Sequence, residues 1–291
     1  MWKRFLVRVV LAGVAFDRQI VLADPVESTS PVRPNANQLM AQSVKVTERN
    51  WAEAPKYSFT RTEINSKGAS KPVRKTDEVL MIDGSPYSKL IALDGRPLTT
   101  QQAREQEQKL REEVSKRAAE SPRQRRWRIG KYNEERNHDH QILLELTNAF
   151  NYTVLGEQRI NGRDAWILHG VLKPGYVPKS REGRVLTGMD VRFWIDKETL
   201  QWPRVEAEVQ KPVTMYVVGT VRPGTRFVLE QEVVSATLWL PKTFRIQVKA
   251  TAFGFLNRDS SSEETYANYR LAQEGSTKRT ASLGTDATPA R

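Results

Sequence analysis

Apolar and polar residues alternate along much of the chain, and this period of two predicts β-strands. Within KYSFTRTEI, for example, Tyr57, Phe59 and Arg61 fall on one face of the predicted strand. Later segments repeat the pattern, with apolar residues at Val205, Ala207 and Val209, at Phe227 and Leu229, and at Phe244, Ile246, Val248 and Ala250. Arg, Glu, Gln and Lys lie between them, so one face is apolar and the other is polar. This is typical of an antiparallel sheet with one solvated side.

Three dipeptides, Asp83-Gly84, Asp94-Gly95 and Asn161-Gly162, predict tight turns between strands. Glycine accepts a positive φ at little cost, and Asn-Gly and Asp-Gly are strong short hairpin signals. The stretch FWIDKETLQWPRVEAEV, residues 193–209, is predicted to form two strands joined by a polar turn. About ten strands are predicted in all, and a sheet of that size must curl or close. The predicted fold class is therefore mainly β (α+β), with a curled antiparallel sheet.

Two parts of the chain have a helical pattern instead. Residues 37–51 place apolar side chains at loosely helical spacing. Residues 99–149 are rich in charges and in good helix formers, and we expect them to form a helical insertion between strands. Few apolar residues lie on any stripe between 99 and 136, so this portion is predicted to be a solvated arm. Residues 140–149 are apolar enough to pack against another element.

The N-terminal stretch MWKRFLVRVVLAGVAF has the layout of a secretory signal peptide. Basic residues precede an apolar run, and Val21 and Ala23 are small residues in front of a cleavage site. We expect residues 1–23 to be removed on export; the alternative is a frayed N-terminal helix on a cytosolic protein. The predicted organisation then continues with a flexible leader at 24–36, a single domain at 37–271 and a disordered tail at 272–291.

The chain contains no cysteine. This excludes disulfides, thiolate metal sites and a cysteine nucleophile, and it also excludes the lipid-anchored class of exported protein, which needs a cysteine at its new N-terminus. No stretch reaches the roughly 18 uncharged apolar residues that a membrane helix needs. The expected location is therefore the periplasm or the extracellular space.

The formal net charge of +12 favours contact with anionic surfaces, although a basic surface that is merely solvated has the same composition. The basic residues concentrate in RQRRWRIGK, whose candidate contacts for an anionic membrane surface are Arg123, Arg125, Arg126, Trp127, Arg128 and Lys131. Nucleic acid would suit the same mixture of charge and aromatic surface, but an export signal argues against it. The remaining alternative is a solvated helix face with Trp127 packed on the sheet.

Residues with catalytic chemistry do not fall into a recognisable arrangement. His138 and His140 are predicted to lie on a helix, where positions two apart point in different directions. His169 ends a predicted strand. The chain has neither a nucleophile elbow nor a phosphate-binding glycine loop. We therefore expect no catalytic residue, no metal, no cofactor and no enzymatic activity.

Several stretches carry a resemblance to a known family: NWAEAPKYSFTRTE, EVLMIDGSPYSKLIALDGRPLTTQQ, INGRDAWIL, LTGMDVRFWIDKETLQWPRVEAEV, and the segments WLPKTF and ETYANYR. Across roughly residues 37–270 they resemble uncharacterised exported bacterial proteins similar to the LolA/LolB-like outer-membrane lipoprotein carriers and sensors. The resemblance implies a half-open antiparallel β-barrel with helices across its concave apolar face. The charged insertion at 99–149 departs from the carriers' pattern. Arg61 lies in an early strand, as the carriers' lid-locking arginine does.

A curled sheet with one apolar face must cover that face with its own helices or with a bound ligand. The first hypothesis is an apolar ligand, namely a lipid, an acyl chain or a lipoprotein. The candidate residues that line its binding surface are Phe59, Met81, Phe193, Ile195, Phe227, Leu229, Phe244 and Ile246. The alternative is that helices at 37–51 and 140–149 fill the face completely. A further hypothesis, from a different class, is a protein-interaction or sensor module that uses the charged arm at 99–136.

Overall fold

The computed structural model describes residues 34–68, 70–180, 182–216 and 219–272. The predicted signal peptide, most of the predicted leader and all but the first residue of the predicted tail lie outside the described residues.

Eleven strands form one antiparallel sheet. Its members are β1 (Tyr57–Lys67), β2 (Val73–Ile82), β3 (Ser85–Leu93), β4 (Arg96–Pro97), β5 (Phe150–Ile160), β6 (Arg163–Leu172), β7 (Met189–Asp196), β8 (Arg204–Val209), β11 (Arg226–Ser235), β12 (Leu238–Val248) and β15 (Ser260–Leu271). Their order is β4-β3-β2-β1-β15-β12-β11-β8-β7-β6-β5. Because β4 and β5 are edges that do not pair with each other, the sheet is open, as the half-open prediction requires.

A second, four-stranded sheet was not predicted. It consists of β9 (Val213–Tyr216), β10 (Gly219–Val221), β13 (Ala250–Ala252) and β14 (Leu256–Asn257), in the order β14-β13-β10-β9. The segment VTMYVVGTV, predicted as a single strand, contributes two of these strands. The expectation of about ten strands in one sheet therefore becomes eleven strands in the main sheet beside a separate small one.

Three α-helices accompany the sheets within the described ranges: α1 (Ala36–Glu53), α2 (Thr100–Ala118) and α3 (Pro122–Ala149). Short 3-10 helices occupy Ala54–Lys56 and Glu182–Gly188. Both α2 and α3 begin with a capping box, at Thr99 and Ser121 respectively. The helical pair α2–α3 connects β4 to β5, so it links the two open edges of the sheet. None of the described helices combines the length and the apolarity that a membrane crossing requires.

The strand register defines two ends of the main sheet. At the first, called the Lys67 end, Lys67 pairs with Ser260, and β8 ends at Val209 opposite Met189. At the other, called the Tyr57 end, Tyr57 pairs with Leu271. Following the pairing from strand to strand places the small sheet at the Lys67 end and the β2–β3 and β5–β6 turns at the Tyr57 end.

The helices cover opposite faces of the sheet. In α1, Leu39 and Met40 pack into the cluster of apolar side chains that contains Phe193. In α2, Glu107 binds Lys89 of β3 at 2.7 Å, and Lys89 also binds its cross-strand partner Glu78. Val79, the neighbour of Glu78 on β2, is directly opposed to Phe59 on the apolar face. Neighbouring residues of a strand point to opposite faces, so α2 lies on the face away from Val79. The prediction of helices across the apolar face therefore describes α1 but not α2.

Candidate ligand-binding face

The apolar face of the main sheet is built by side chains in register. Leu168 pairs with Phe193, Phe193 with Val205, Val205 with Leu229, and Leu229 with Phe244. Because directly opposed side chains of an antiparallel pair share a face, these five apolar residues form a continuous row across β6, β7, β8, β11 and β12. The predicted alternation of strands is what aligns them.

One part of this face is closed by α1. Phe193 and Ile195 are both 0% exposed, and they belong to a cluster that includes Leu39 and Met40 of α1. The ring of Trp202 meets Phe193 edge-on, with 4.9 Å between centroids. These contacts make Phe193 and Ile195 part of a packed core.

The other part of the face lies on β11, β12, β15 and β1. Phe244, Ile246 and Tyr266 are buried there, and Phe59 lies half-buried with its ring centroid 5.7 Å from that of Tyr266. The full cluster comprises Phe244, Ile246, Val248, Ala250 and Tyr266, with Phe59, Phe227, Leu229 and Tyr269 packed against it. All of these residues belong to strands, whereas the first cluster includes helix residues.

The eight lining candidates thus fall into four groups. Phe193 and Ile195 lie under α1, while Phe59, Phe244 and Ile246 lie in the strand-only cluster. Phe227 and Leu229 contact both clusters and join them into one apolar strip. Met81 is half-buried in β2 and belongs to neither cluster.

A charged group borders the strand-only cluster, and the sequence did not reveal it. Arg61 and Asp77 are directly opposed on β1 and β2, and Nη2 of Arg61 donates to Asp77 at 3.0 Å. Both side chains are buried, and Nε of Arg61 has no hydrogen-bond partner. The buried carboxylate of Glu264 accepts a hydrogen bond from the Tyr266 hydroxyl. Burial raises the pKa of Glu264, and the bond from Tyr266 and the charge of Arg61 offset this rise only in part.

Two grooves lie away from the apolar face of the main sheet. One groove of about 580 Å³ runs between α1 and the last turns of α3, and Met40, Val44, Leu144 and Phe150 form its apolar side. A second, of about 510 Å³, lies beside the 3-10 helix at Glu182–Gly188. None of the eight lining candidates borders either groove.

The basic segment at the start of α3 is exposed, with one exception. Arg123, Arg125, Arg126 and Lys131 are exposed, and Trp127 is 70% exposed, so it is not packed on the sheet. Arg128 is different, because it binds Glu120 at 2.7 Å and Ser85 Oγ at 2.6 Å. The anionic-surface candidates therefore divide into five exposed side chains at the Tyr57 end and one arginine, Arg128, that attaches α3 to the β2–β3 turn.

His140 and His169 each contact a neighbouring side chain. His140 stacks on Trp51, with ring centroids 4.4 Å apart, and burial lowers the pKa of His140 although nearby Glu48 raises it in part. His169 Nε2 lies 2.5 Å from Asp190 Oδ2 on the neighbouring strand. Within the described ranges, no three histidine or carboxylate side chains cluster as metal ligands would. The helical position of residues 138–140 agrees with the sequence prediction.

Comparison with known proteins gives structural neighbours. No protein-family model matches the chain. No curated protein matches it either. Among solved structures, it is similar to a DUF1329 family protein from Desulfovibrio piger, at 14% identity and a TM-score of 0.32, over 82% of this chain and 94% of that one. It is also similar to an outer membrane lipoprotein-sorting protein domain from Vibrio parahaemolyticus, at 12% identity and a TM-score of 0.32, over 83% and 98% of the two chains.

A LolA superfamily protein from Nitrosomonas europaea is similar at 10% identity and a TM-score of 0.29, over 83% of this chain and 96% of that one. The LolA-like resemblance that the sequence indicates does recur among the structural neighbours.

Proposed function

We propose that this chain is a non-enzymatic exported protein that binds an acyl chain of a lipid or lipoprotein. The binding surface is the strand-only cluster on β11, β12, β15 and β1, including Phe59, Phe227, Leu229, Phe244 and Ile246. The observation that supports it is the difference between the two clusters, since α1 residues cover one and the other consists of strand residues alone. The half-buried side chains of this cluster, Phe59, Phe227 and Leu229, are the ones whose remaining apolar surface an acyl chain would cover.

The charged pair beside the cluster, Arg61 and Asp77, suits the polar head of an acyl-chain ligand. Binding sites for lipids and small molecules are mostly apolar, with a few placed polar groups that fix orientation. Nε of Arg61 is a buried donor without a partner, and an unpaired buried donor is costly. An ester, carboxylate or phosphate oxygen would satisfy it. We therefore infer that the acyl chain lies on the cluster and that its polar head faces Arg61.

The test combines the identification of bound lipid with a substitution that fills part of the proposed binding surface. The protein purified from its native envelope should carry lipid detectable by mass spectrometry, and the delipidated protein should bind a fluorescent fatty acid. Leu229→Trp places a larger side chain at a half-buried position of the cluster and should weaken probe binding about tenfold or more. Leu155→Trp, at an exposed position of β5, is the matched control and should bind like the parent. A parent protein without lipid and without probe binding contradicts the proposal.

A second candidate function is protein interaction through the α2–α3 arm. The observation that favours it is the exposure of Trp127 among four exposed cations at the start of α3. Exposed tryptophan and arginine are typical of binding hot spots. A photo-crosslinking amino acid at Arg126 should attach to one defined protein in cells. The same probe at Lys109, exposed on α2, should not, and equal labelling from both positions contradicts this function.

A further inference from the structure

The turn between β13 and β14 differs from the other glycine turns of the chain in its chemistry. The turns at Asp83-Gly84, Asp94-Gly95 and Asn161-Gly162 place Asp or Asn followed by Gly at positive φ. The β13–β14 turn has the same backbone, with φ +53 at Phe253 and φ +77 at Gly254. A bulky residue is strained in the left-handed region, which Asn and Asp tolerate. Among the described turns in which a residue at positive φ precedes a glycine at positive φ, this one has a phenylalanine where the other three have Asp or Asn.

The apolar side chains of this turn point into solvent. Phe253 is 63% exposed, Phe255 is 81% exposed and Leu256 is 36% exposed. Phe255 is the most exposed large apolar side chain of the described residues. Three apolar side chains within four residues of a turn tip lower solubility. Such a departure from the usual polar composition of turns is expected at functional sites.

Cations surround the base of this hairpin. Lys249 precedes β13, and Arg258 follows β14 and donates its backbone N–H to Ala250 at 2.8 Å. Asp259, the nearby carboxylate, is paired with Arg222 at 2.5 Å. The next strand, β15, begins at Ser260 opposite Lys67. The loop after Lys67 adds the exposed Lys71, and the start of β2 adds the exposed Arg74 and Lys75. The apolar tip therefore projects from a positively charged end of the sheet.

We propose that the turn at Phe253–Leu256 is a membrane-contact site for an anionic phospholipid bilayer. Phe253, Phe255 and Leu256 enter the interfacial layer, and Lys249, Arg258 and Lys67 contact the headgroup phosphates. Aromatic and aliphatic side chains with flanking cations have the chemistry that interfacial binding requires. A protein partner fits less well, because a stable protein interface needs about 800 Å² from each side and a turn of four residues offers far less.

This site lies at the end of the sheet opposite to the exposed basic segment of α3. The small sheet adjoins the Lys67 end, whereas Arg128 fixes the start of α3 to the β2–β3 turn at the Tyr57 end. We therefore expect that a bilayer in contact with Phe255 at the Lys67 end does not contact Trp127 at the Tyr57 end. The two surfaces can be separated by substitution, and neither depends on a ligand on the apolar face.

The first experiment measures co-sedimentation with vesicles of phosphatidylglycerol and phosphatidylcholine in equal parts. Phe253→Asn restores the turn chemistry of Asn161-Gly162, so it should leave the melting temperature unchanged or raised. Phe253→Asn and Phe255→Ser should each weaken vesicle binding about tenfold or more, since each removes a phenylalanine from the apolar contact. Trp127→Ser is the control for the opposite end and should bind like the parent. Added salt should weaken parental binding, because headgroup attraction is screened.

The second experiment reports insertion directly. The chain has no cysteine, so Phe255→Cys creates a unique site for an environment-sensitive NBD dye. Its emission should brighten and shift to the blue on addition of the anionic vesicles. The same dye at Trp127→Cys should not respond. Leu229→Trp, which tests acyl binding, should bind vesicles like the parent, so failure of one proposal is distinguishable from failure of the other.

Two binding results and one dye result would overturn the membrane site. One is a parent protein that does not bind the anionic vesicles, which would assign the exposed turn to a protein partner. The other is folded Phe253→Asn and Phe255→Ser proteins that bind as tightly as the parent. A response of the dye at position 127 with none at 255 would likewise place the membrane contact on α3 instead.

Discussion

The indole Nε1 of Trp202 donates a hydrogen bond to Oγ of Ser43 at 2.9 Å, and both side chains are buried. The bond joins the residues that precede β8 to the middle of α1. Asn50, further along α1, donates to Gln201 at 2.6 Å. The segment between β7 and β8 therefore fixes α1 on the apolar face through buried polar bonds, in addition to the apolar contacts beneath the helix.

This relationship predicts the effect of Ser43→Ala. The indole N–H of Trp202 would lose its acceptor inside the core, and an unsatisfied buried donor costs about 1–3 kcal/mol. Chemical denaturation followed by fluorescence should show this loss in the free energy of unfolding. Gln42→Ala changes the neighbouring, exposed position of α1 and should change stability little. Equal stability of the two variants would show that the bond does not contribute.

The packing around Ile195 predicts the effect of a larger side chain. Ile195 is 0% exposed in the cluster that α1 closes, so Ile195→Trp has no free volume to occupy. Overpacking of a close-packed core costs about 1–3 kcal/mol. Leu229→Trp, at a half-buried position, should cost less in the same denaturation experiment. If Ile195→Trp melts at the parental temperature, α1 leaves room on this part of the face.

Much of the main sheet could be predicted because its strands are long and solvated on one side. Alternation therefore appears in strands such as β1 and β12, and the Asn161-Gly162 pair marks the β5–β6 hairpin. The small sheet could not be predicted in this way. Its strands span two to four residues, and a period of two is not recognisable over so short a length.

The contacts that hold the helices on the sheet could not be predicted either, because long charged side chains on a helix are usually interpreted as solvated. Arg117 of α2 is buried and donates to the backbone oxygens of Ile82 and Ser85 at 2.7 and 2.8 Å. The partners lie 35 and 32 residues away, so only the tertiary fold brings them together. The Arg61–Asp77 pair depends in the same way on the register of β1 and β2.

The Arg61–Asp77 pair predicts that substitutions at these two positions have strongly non-additive effects on the free energy of unfolding. Arg61→Met leaves the buried carboxylate of Asp77 without its cation, and such a loss costs about 3–5 kcal/mol. Asp77→Leu leaves the buried guanidinium without its anion and should cost a similar amount. The double variant should recover most of the stability, because replacing both charges removes both desolvation penalties. A double-mutant cycle from denaturant midpoints measures the coupling, and additive losses would contradict it. The folded double variant should also bind the fatty-acid probe more weakly, since the proposed head-group donor is gone.

The buried carboxyl of Glu264 leads us to expect that the stability of the folded protein depends on pH. Burial raises the pKa of its carboxyl in the folded state above the ordinary value of 4.5. The folded protein thus holds this proton more tightly than the unfolded chain does, so the contribution to stability is complete below 4.5 and is lost as the pH rises through the folded-state pKa. Glu264→Gln mimics the protonated form at every pH. It should therefore stabilise the protein at about pH 7 and have little effect at about pH 4.

Thermal unfolding of the parent and of Glu264→Gln at both pH values tests this expectation. Glu263→Gln is the matched control, because residue 263 lies on the opposite face of β15 and its carboxylate binds Arg245 at 3.2 Å. Neighbouring residues of a strand alternate in direction, so the two variants remove carboxyls from the same strand in different surroundings. Only Glu264→Gln should raise the melting temperature near neutral pH. A fall in that temperature would mean that the ionised carboxylate stabilises the fold through Arg61, and that the positive charge of Arg61 is shared between Asp77 and Glu264 rather than left available for a ligand.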